Sequence, residues 1–355
     1  MDLNLIIDYL IISIIASMAI NMVLRNIAQH NNILVDIPDK SRKFHKRATP
    51  LTGGLGILLT TLIIGKLHVD LNGLVRDIPS FTFYMMMSSI MIVILFLYDD
   101  LKGLNAKLRM VFQASICLYF IFSTDTYISN LGNIFGTGDI ELGLLSIPFT
   151  VFCVVGIMNA FNMIDGINGL CSGCAMIALL FIGFSSGLIY NTPLVILIGS
   201  IIGFLIFNLR LIGKKREVFL GDHGSNLIGF WVAWLAIGPT QNPLIEIEAM
   251  TMVWFVAIPL LDCLGLIFSR LSRGLSWDTP GRDHIHHKLM NRFSPEGTLL
   301  VIILLSISLC SFGLILERFF PPVISLILFI IFSITYFFFS FYYYKKEVLI
   351  GVRDV

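Results

Sequence analysis

Eleven apolar runs divide this chain: residues 4–24, 51–66, 80–98, 108–123, 143–162, 170–189, 191–209, 222–237, 248–269, 297–316 and 321–344. Crossing a hydrocarbon layer takes about 17–25 helical residues, and most of these runs reach that length. In lipid every backbone amide must find its partner within the protein, which leaves helices or a closed barrel. No run alternates apolar and polar residues as barrel strands do, so the spans are read as helices. Composition agrees. Of 355 residues 56% are apolar and 13% are charged, about half the ~25% charged content of a soluble domain. Mean hydropathy is +0.87. A soluble enzyme, a disordered chain and a disulfide-rich secreted module are all excluded. Net charge is +1, so no overall field favours a nucleic acid or another polyanion. The expected fold is an all-α polytopic membrane protein in a lipid bilayer, a single domain over residues 1–355.

Lys and Arg orient it. Of the 24 basic residues, 21 flank one set of run ends and only Lys66, Arg76 and Arg318 flank the other. Positively charged loops stay inside, so the first set is cytoplasmic, the N-terminus outside and the C-terminus inside. The first run has no basic region before it and Arg25 after it, which fits a retained signal-anchor better than a cleaved signal peptide. The six cysteines lie in or beside apolar runs. Cys171 and Cys174 form a C-x-x-C without a thioredoxin-like βαβ setting, so they are expected to be packing residues opening a helix.

Acidic residues gather at the cytoplasmic run ends. Asp99 and Asp100 close the third run, Asp165 follows the fifth in Asn162-Met163-Ile164-Asp165-Gly166-Ile167-Asn168-Gly169, and Asp222 opens the eighth in Gly221-Asp222-His223-Gly224-Ser225. Each alone has an ordinary explanation: Asp222 as a helix cap, the Asp99–Asp100 pair as a solvated end facing Lys102 or Lys107. Four carboxylates from three helix ends at one membrane depth are costly unless they do something. Oxygen donors without a Cys or His cage suit Mg²⁺ or Mn²⁺ rather than Zn²⁺. Adjacent Asp99 and Asp100 point about 100° apart on a helix, so they are expected to act differently, with Asp99 the more important for turnover. Gly166, Gly169, Gly221 and Gly224 allow close backbone approach to a ligand, whereas Gly53-Gly54-Leu55-Gly56 suits helix packing at least as well.

The other long polar segment, 270–296, holds Arg282-Asp283-His284-Ile285-His286-His287-Lys288. A solvated basic loop accounts for the Arg and Lys but not for three clustered histidines. With no further soft ligand beside them, imidazoles and guanidinium are read as phosphate ligands. If the segment is extended, His284, His286 and Arg282 share one face and His287 points elsewhere, with a nearby diphosphate favouring protonated imidazole. Asp262, inside the ninth run, is either a buried partner of Arg270 or a pocket residue. Phe337–Phe339 and Tyr342–Tyr344 read as an interfacial aromatic belt.

These motifs in this order — Asp-Asp-x-x-Lys, Asn-x-x-Asp-Gly-x-Asn-Gly, Gly-Asp-x-Gly-Ser and His-Ile-His-His — resemble the polyprenyl-phosphate N-acetylhexosamine-1-phosphate transferases, glycosyltransferase family 4, and most of all their bacterial undecaprenyl-phosphate N-acetylglucosamine branch. The resemblance implies transfer of N-acetylglucosamine 1-phosphate from UDP-N-acetylglucosamine to undecaprenyl phosphate with release of UMP, as the first membrane step of an O-antigen, common-antigen or teichoic-acid type polymer in the bacterial cytoplasmic (inner) membrane. It also implies a Mg²⁺ requirement, with Mn²⁺ as a substitute. Carried over residue by residue, it makes Asp222, Asp99 and Asp165 metal ligands. It gives catalytic roles to Asp99, Asp100, Asp165 and His284, and substrate contacts to Asn162, Asn168, Arg282, His286, His287 and Lys102. One departure stands out: bacterial members commonly have Asp where this chain has Asn168, which can hydrogen-bond a uracil edge but adds no charge. Another UDP-N-acetylhexosamine is the alternative donor, and a homo-oligomer is allowed. A transporter is the alternative of a different class, but its ionisable groups would sit near the bilayer midplane, and here only Asp262 lies deep.

Overall fold

The computed structural model describes residues 3–37, 48–73, 79–279, 281 and 283–349, with side chains described as far as 341. It is helical almost throughout. The helices are α1 (Leu3–Asn31), α2 (Gly53–Leu71), α3 (Ser80–Lys102), α4 (Ala106–Thr124), α5 (Ser146–Ile164), α6 (Leu170–Ser186), α7 (Thr192–Asn208), α8 (Asp222–Thr240), α9 (Ala249–Phe255), α10 (Ala257–Ser272), α11 (Ile285–Met290), α12 (Pro295–Phe319) and α13 (Pro322–Leu349). Every one of the eleven apolar runs is helical. By length and composition, seven helices among the described residues are long and apolar enough to cross a membrane, or eight if α9 and α10 count as one bent span; α6 and α7 are shorter apolar helices. The protein is thus an all-α, multi-pass membrane protein.

Local chemistry sets the ends. Asn105 caps α4 by accepting the Leu108 amide at 2.8 Å. Ser294 caps α12 from the Gly297 amide at 3.1 Å, and Pro295 follows at the first helical position, where its missing N–H costs nothing. The ninth run breaks between α9 and α10 with a bend of 79°. Pro259 has no amide to give the Phe255 carbonyl and its ring collides with that turn, so the helix restarts at Ala257.

α8 is the centre of the bundle. From His223 to Leu235 every residue is buried, and α3, α5 and α6 pack around it. Its start is fixed by the 217–220 segment: the Phe219 and Leu220 carbonyls accept from the Gly53 and Gly54 amides at 2.9 and 3.0 Å. A two-residue hairpin of β1 (Val35–Asp36) and β2 (Thr49–Pro50) leads into this pairing. A Cβ on Gly54 would fall 2.2 Å from the Gly224 Cα, so the Gly53-Gly54-Leu55-Gly56 glycines serve helix packing rather than a ligand. All six cysteines are free, with Cys171 and Cys174 buried at the start of α6. Phe338 and Phe339 are exposed, as an interfacial belt requires; the Tyr342–Tyr344 side chains lie outside the described ones.

Two indoles inside the bundle are paired: Trp231 donates to Ser89 at 2.9 Å and Trp254 to Ser325 at 3.0 Å. Small residues let α1 and α7 touch. A Cβ on Gly203 would lie 2.5 Å from the Ser17 Cβ and 2.7 Å from the Ile14 carbonyl, and Ser17 donates across the seam to the Ser200 carbonyl at 2.7 Å. Gly203→Val therefore overpacks a backbone contact. We expect a stability loss of about 1–3 kcal/mol, read as a lower Tm of the detergent-purified protein; an unchanged Tm would show that this seam is loose.

Candidate active site

At the basic end of the bundle the structure brings the four predicted carboxylates together. Asp99, in the last turn of α3, has a side chain only 4% exposed. One oxygen accepts the Leu104 amide at 2.5 Å and the other faces Arg109 Nη1 at 3.3 Å, which lies equally 3.3 Å from Asp222. Asp222 also accepts from the Asn162 amide at 3.1 Å, and Asn162 donates to Ser225 at 2.9 Å. The expected angular divergence appears at Asp100. It turns to the other side, where it accepts the Asp222 amide at 3.1 Å and meets His223 Nδ1 at 2.5 Å. Asp100 thereby caps α8 from a separate helix, favourably placed against the positive end of its dipole.

Asp165 follows α5 in the Asp-Gly turn, outside the spans. Its side chain is exposed to water on one side and backed by protein on the other. That enclosure, followed by the negative charges of Asp222 and Asp100, pushes the carboxyl up to about 8. Lys102 is exposed beyond this group. Asn168 spends one of its amide N–H donors on Glu217 at 2.6 Å, while Glu217 also pairs with Arg210 at 2.7 Å; less of Asn168 is free for a base edge than its sequence position suggests.

The histidine segment corrects two expectations. It is not extended: His284 stands at the N-cap and His286 and His287 lie in α11, a helix of one and a half turns. All three rings nevertheless cluster, His284 stacking on His286 at 5.2 Å and His286 meeting His287 at 4.2 Å, because the chain turns into the helix at His284. Nor is His286 poised for protonation. It is 1% exposed, and burial, then the neighbouring His287 and His284, push its pKa down to about 3. Asp262 is not the partner of Arg270, which donates to the Trp277 carbonyl at 2.9 Å; Asp262 bonds His284 at 2.8 Å. Arg282 lies outside the described residues.

Gly166 joins the two halves of the site. A Cβ there would sit 2.0 Å from His286 Nε2, so only glycine lets the histidine helix close over the Asp165 turn. Three participants were not singled out from sequence. Arg109 was counted only as a basic flank. His223 hid between two motif residues. Gln113, buried in α4, links Asn226 at 2.6 Å to Asn159 at 2.9 Å, and Asn226 holds the Asp222 carbonyl at 2.8 Å. The available signal was a polar residue inside an apolar run, which for Gln113 was present.

Comparison with known proteins decides the family. The family model described as glycosyl transferase family 4 matches residues 82–239. The chain is 33% identical over 314 residues to an undecaprenyl-phosphate alpha-N-acetylglucosaminyl 1-phosphate transferase of Escherichia coli O157:H7, covering 85% of this chain and 82% of that one. It is 33% identical to the Yersinia pestis protein of the same name, covering 90% and 87%. It is 30% identical to a probable undecaprenyl-phosphate N-acetylglucosaminyl 1-phosphate transferase of Bacillus subtilis strain 168, covering 91% and 87%. The chain belongs to glycosyl transferase family 4. The matched span of this family model runs from α3 through α8 and so includes all four carboxylates, Asn162 and Arg109. The histidine helix lies beyond it.

The donor set fits a hard divalent cation in the glycosyl transferase site. Among the described residues no three His, Cys, Asp or Glu side chains form a metal cage as they stand. Mg²⁺ does not need one, since it binds through one or two carboxylates, waters and substrate phosphates. The repulsion that raises Asp165 is the kind a cation relieves.

The Asp165 shift has a measurable sign. Its folded-state pKa of about 8 lies above the ~3.9 of an unfolded Asp, so stability without metal falls as pH rises from about 4 and levels off above 8. Asp165→Asn should remove that slope. In EDTA, its Tm advantage over the parent should grow between pH 5 and 8 and shrink when Mg²⁺ is added. A pH-independent difference would mean that Asp165 carries no such strain.

Proposed function

We propose that this chain transfers N-acetylglucosamine 1-phosphate from UDP-N-acetylglucosamine to undecaprenyl phosphate, giving undecaprenyl-diphospho-N-acetylglucosamine and UMP. The convergence of Asp99, Asp100, Asp165 and Asp222 from three helix ends beneath a histidine helix carries this reading, in a chain whose relatives are named for that reaction. By the excess of Lys and Arg at that end, the site faces the cytoplasm of a bacterium and the helices cross its inner membrane. The product is the starting lipid of a surface polysaccharide.

In the transfer an oxygen of the lipid phosphate attacks the β-phosphorus, the bond from that phosphorus to the bridging oxygen breaks, and UMP leaves. A phosphate monoester has a second pKa near ~6, so the nucleophile is already largely dianionic and needs no strong base. What the reaction needs is charge neutralisation and alignment. Asp222 and Asp165, with Asp99 and Asp100 beside them, would hold Mg²⁺, which supplies positive charge to the diphosphate and to the departing UMP. Asn162 orients Asp222 through its 3.1 Å bond. Arg109, 3.3 Å from both Asp99 and Asp222, offsets part of the repulsion between those carboxylates. His284 and His287, with Arg282 beside them in sequence, serve as diphosphate ligands, Lys102, two residues past Asp100, adds a further substrate contact, and buried His286 packs over Gly166.

The test is purified protein with undecaprenyl phosphate, Mg²⁺ and a panel of UDP-sugars, scored for UMP. UDP-N-acetylglucosamine should be the preferred donor and EDTA should abolish release. Substrate flux into vesicles without UMP would make the protein a transporter instead.

Two variants sharpen the site. Asp222→Asn should lower turnover at least 100-fold in folded, inserted protein, because a charged ligand is lost; near-parental activity at ordinary Mg²⁺ would remove Asp222 from the metal site. His284→Ala should raise the KM for UDP-sugar and lower kcat, and a zinc-selective chelator should change neither the parent nor the variant. Inactivation by that chelator that Mg²⁺ cannot reverse would make the histidine cluster a zinc site.

A further inference from the structure

Three hydrogen-bond donors converge on one carboxylate buried behind the histidine cluster. Asp262, inside α10, is 2% exposed. Its Oδ2 meets His284 Nδ1 at 2.8 Å. Its Oδ1 accepts the Ile285 amide at 2.8 Å and the Tyr336 hydroxyl, from α13, at 3.0 Å. Oδ1 thus accepts twice, and Oδ2 accepts as well when the His284 ring carries its proton on Nδ1. An ionised carboxylate satisfies this set completely. His284 must then carry its proton on Nδ1, which leaves Nε2 as the ring's open position.

The same contacts place that ring. The Ile285 amide is the first of α11, so Asp262 also anchors the start of the histidine helix. His284 stacks on His286 at 5.2 Å, and His286 Nε2 lies against Gly166 beside Asp165. Of this stacked pair, His286 is buried and His284 is the ring with a carboxylate directly behind it.

We propose that Asp262 is a positioning residue for the transfer: it locks His284 in the Nδ1–H form and seats the histidine helix, so that His284 Nε2 is presented to the phosphate. This rests on the transferase reading above. It assigns no substrate contact to Asp262 itself. A carboxylate that fixes the tautomer of a working histidine is worth about 10–100-fold when removed.

Nitrogen-15 NMR of histidine-labelled protein, with His284→Gln giving the assignment, should show the parent His284 protonated on Nδ1. An Nε2–H neutral ring in the parent would overturn the proposal, and this measurement needs no Asp262 variant to fold. Asp262→Asn can accept at only one end; its NH₂ turned to His284 forces the proton onto Nε2. The variant should lose about 10–100-fold in kcat/KM, and Asp262→Glu should recover part of it. In a double-mutant cycle Asp262→Asn should cost little once His284 is already Ala, since both act through one ring. Fully additive losses would reduce Asp262 to a structural anchor and overturn the proposal. A parent that releases no UMP from any UDP-sugar would sink the transferase reading, while the NMR result would still decide the Asp262–His284 pair.

Discussion

Everything at the active end depends on starting a fully buried helix with a charge. α8 is buried from His223 on, so the open amides of its first turn have little bulk water to lean on, while the Asp222 carboxylate at its start is only part-buried and sits among other carboxylates. The structure answers with groups from other helices. Asp100 of α3 accepts the Asp222 amide, Asn162 of α5 holds the Asp222 carboxylate, and Arg109 of α4 stands between Asp222 and Asp99. Paired across four helices, the charges stay and form a cleft that attracts a cation and a phosphate.

The arrangement is negative beyond what Arg109 can balance. Asp165 shows the excess, with its carboxyl raised to about 8 by enclosure and by Asp222 and Asp100. Strain of this kind is a common mark of a functional site, because a core built only for stability would not assemble repelling carboxylates. The histidine helix closes the other side. It is tied down by Asp262 on one side and admitted by the missing Cβ of Gly166 on the other, so the Asp165 turn and the histidine helix meet in one place although they are more than a hundred residues apart in sequence.

Amides provide the rest of the framework. The Asn159–Gln113–Asn226 chain leads to the Asp222 carbonyl, using side chains that are neutral yet fully able to donate and accept. Such a network costs less to bury than ions do and still fixes direction, which suits the support of a metal-ligand carboxylate.

The sequence by itself determined the membrane class, the helical spans, the sidedness expected from Lys and Arg, and the four motifs, because each is a local property: hydropathy over a window, charge at a run end, residue types at short spacing. It also made the Asp99–Asp100 divergence legible, since 100° per residue is fixed by the helix. What it left open were pairings across helices. Whether Asp262 served Arg270 or a pocket, whether Gly54 met a ligand or Gly224, and whether His284 lay on a strand or at a helix cap all turned on contacts between distant segments. Arg109, His223 and Gln113 were visible as residue types but gained their roles only when α3, α4, α5 and α8 packed side by side. Periodicity specifies the face a side chain occupies; only close packing in three dimensions specifies what stands opposite it.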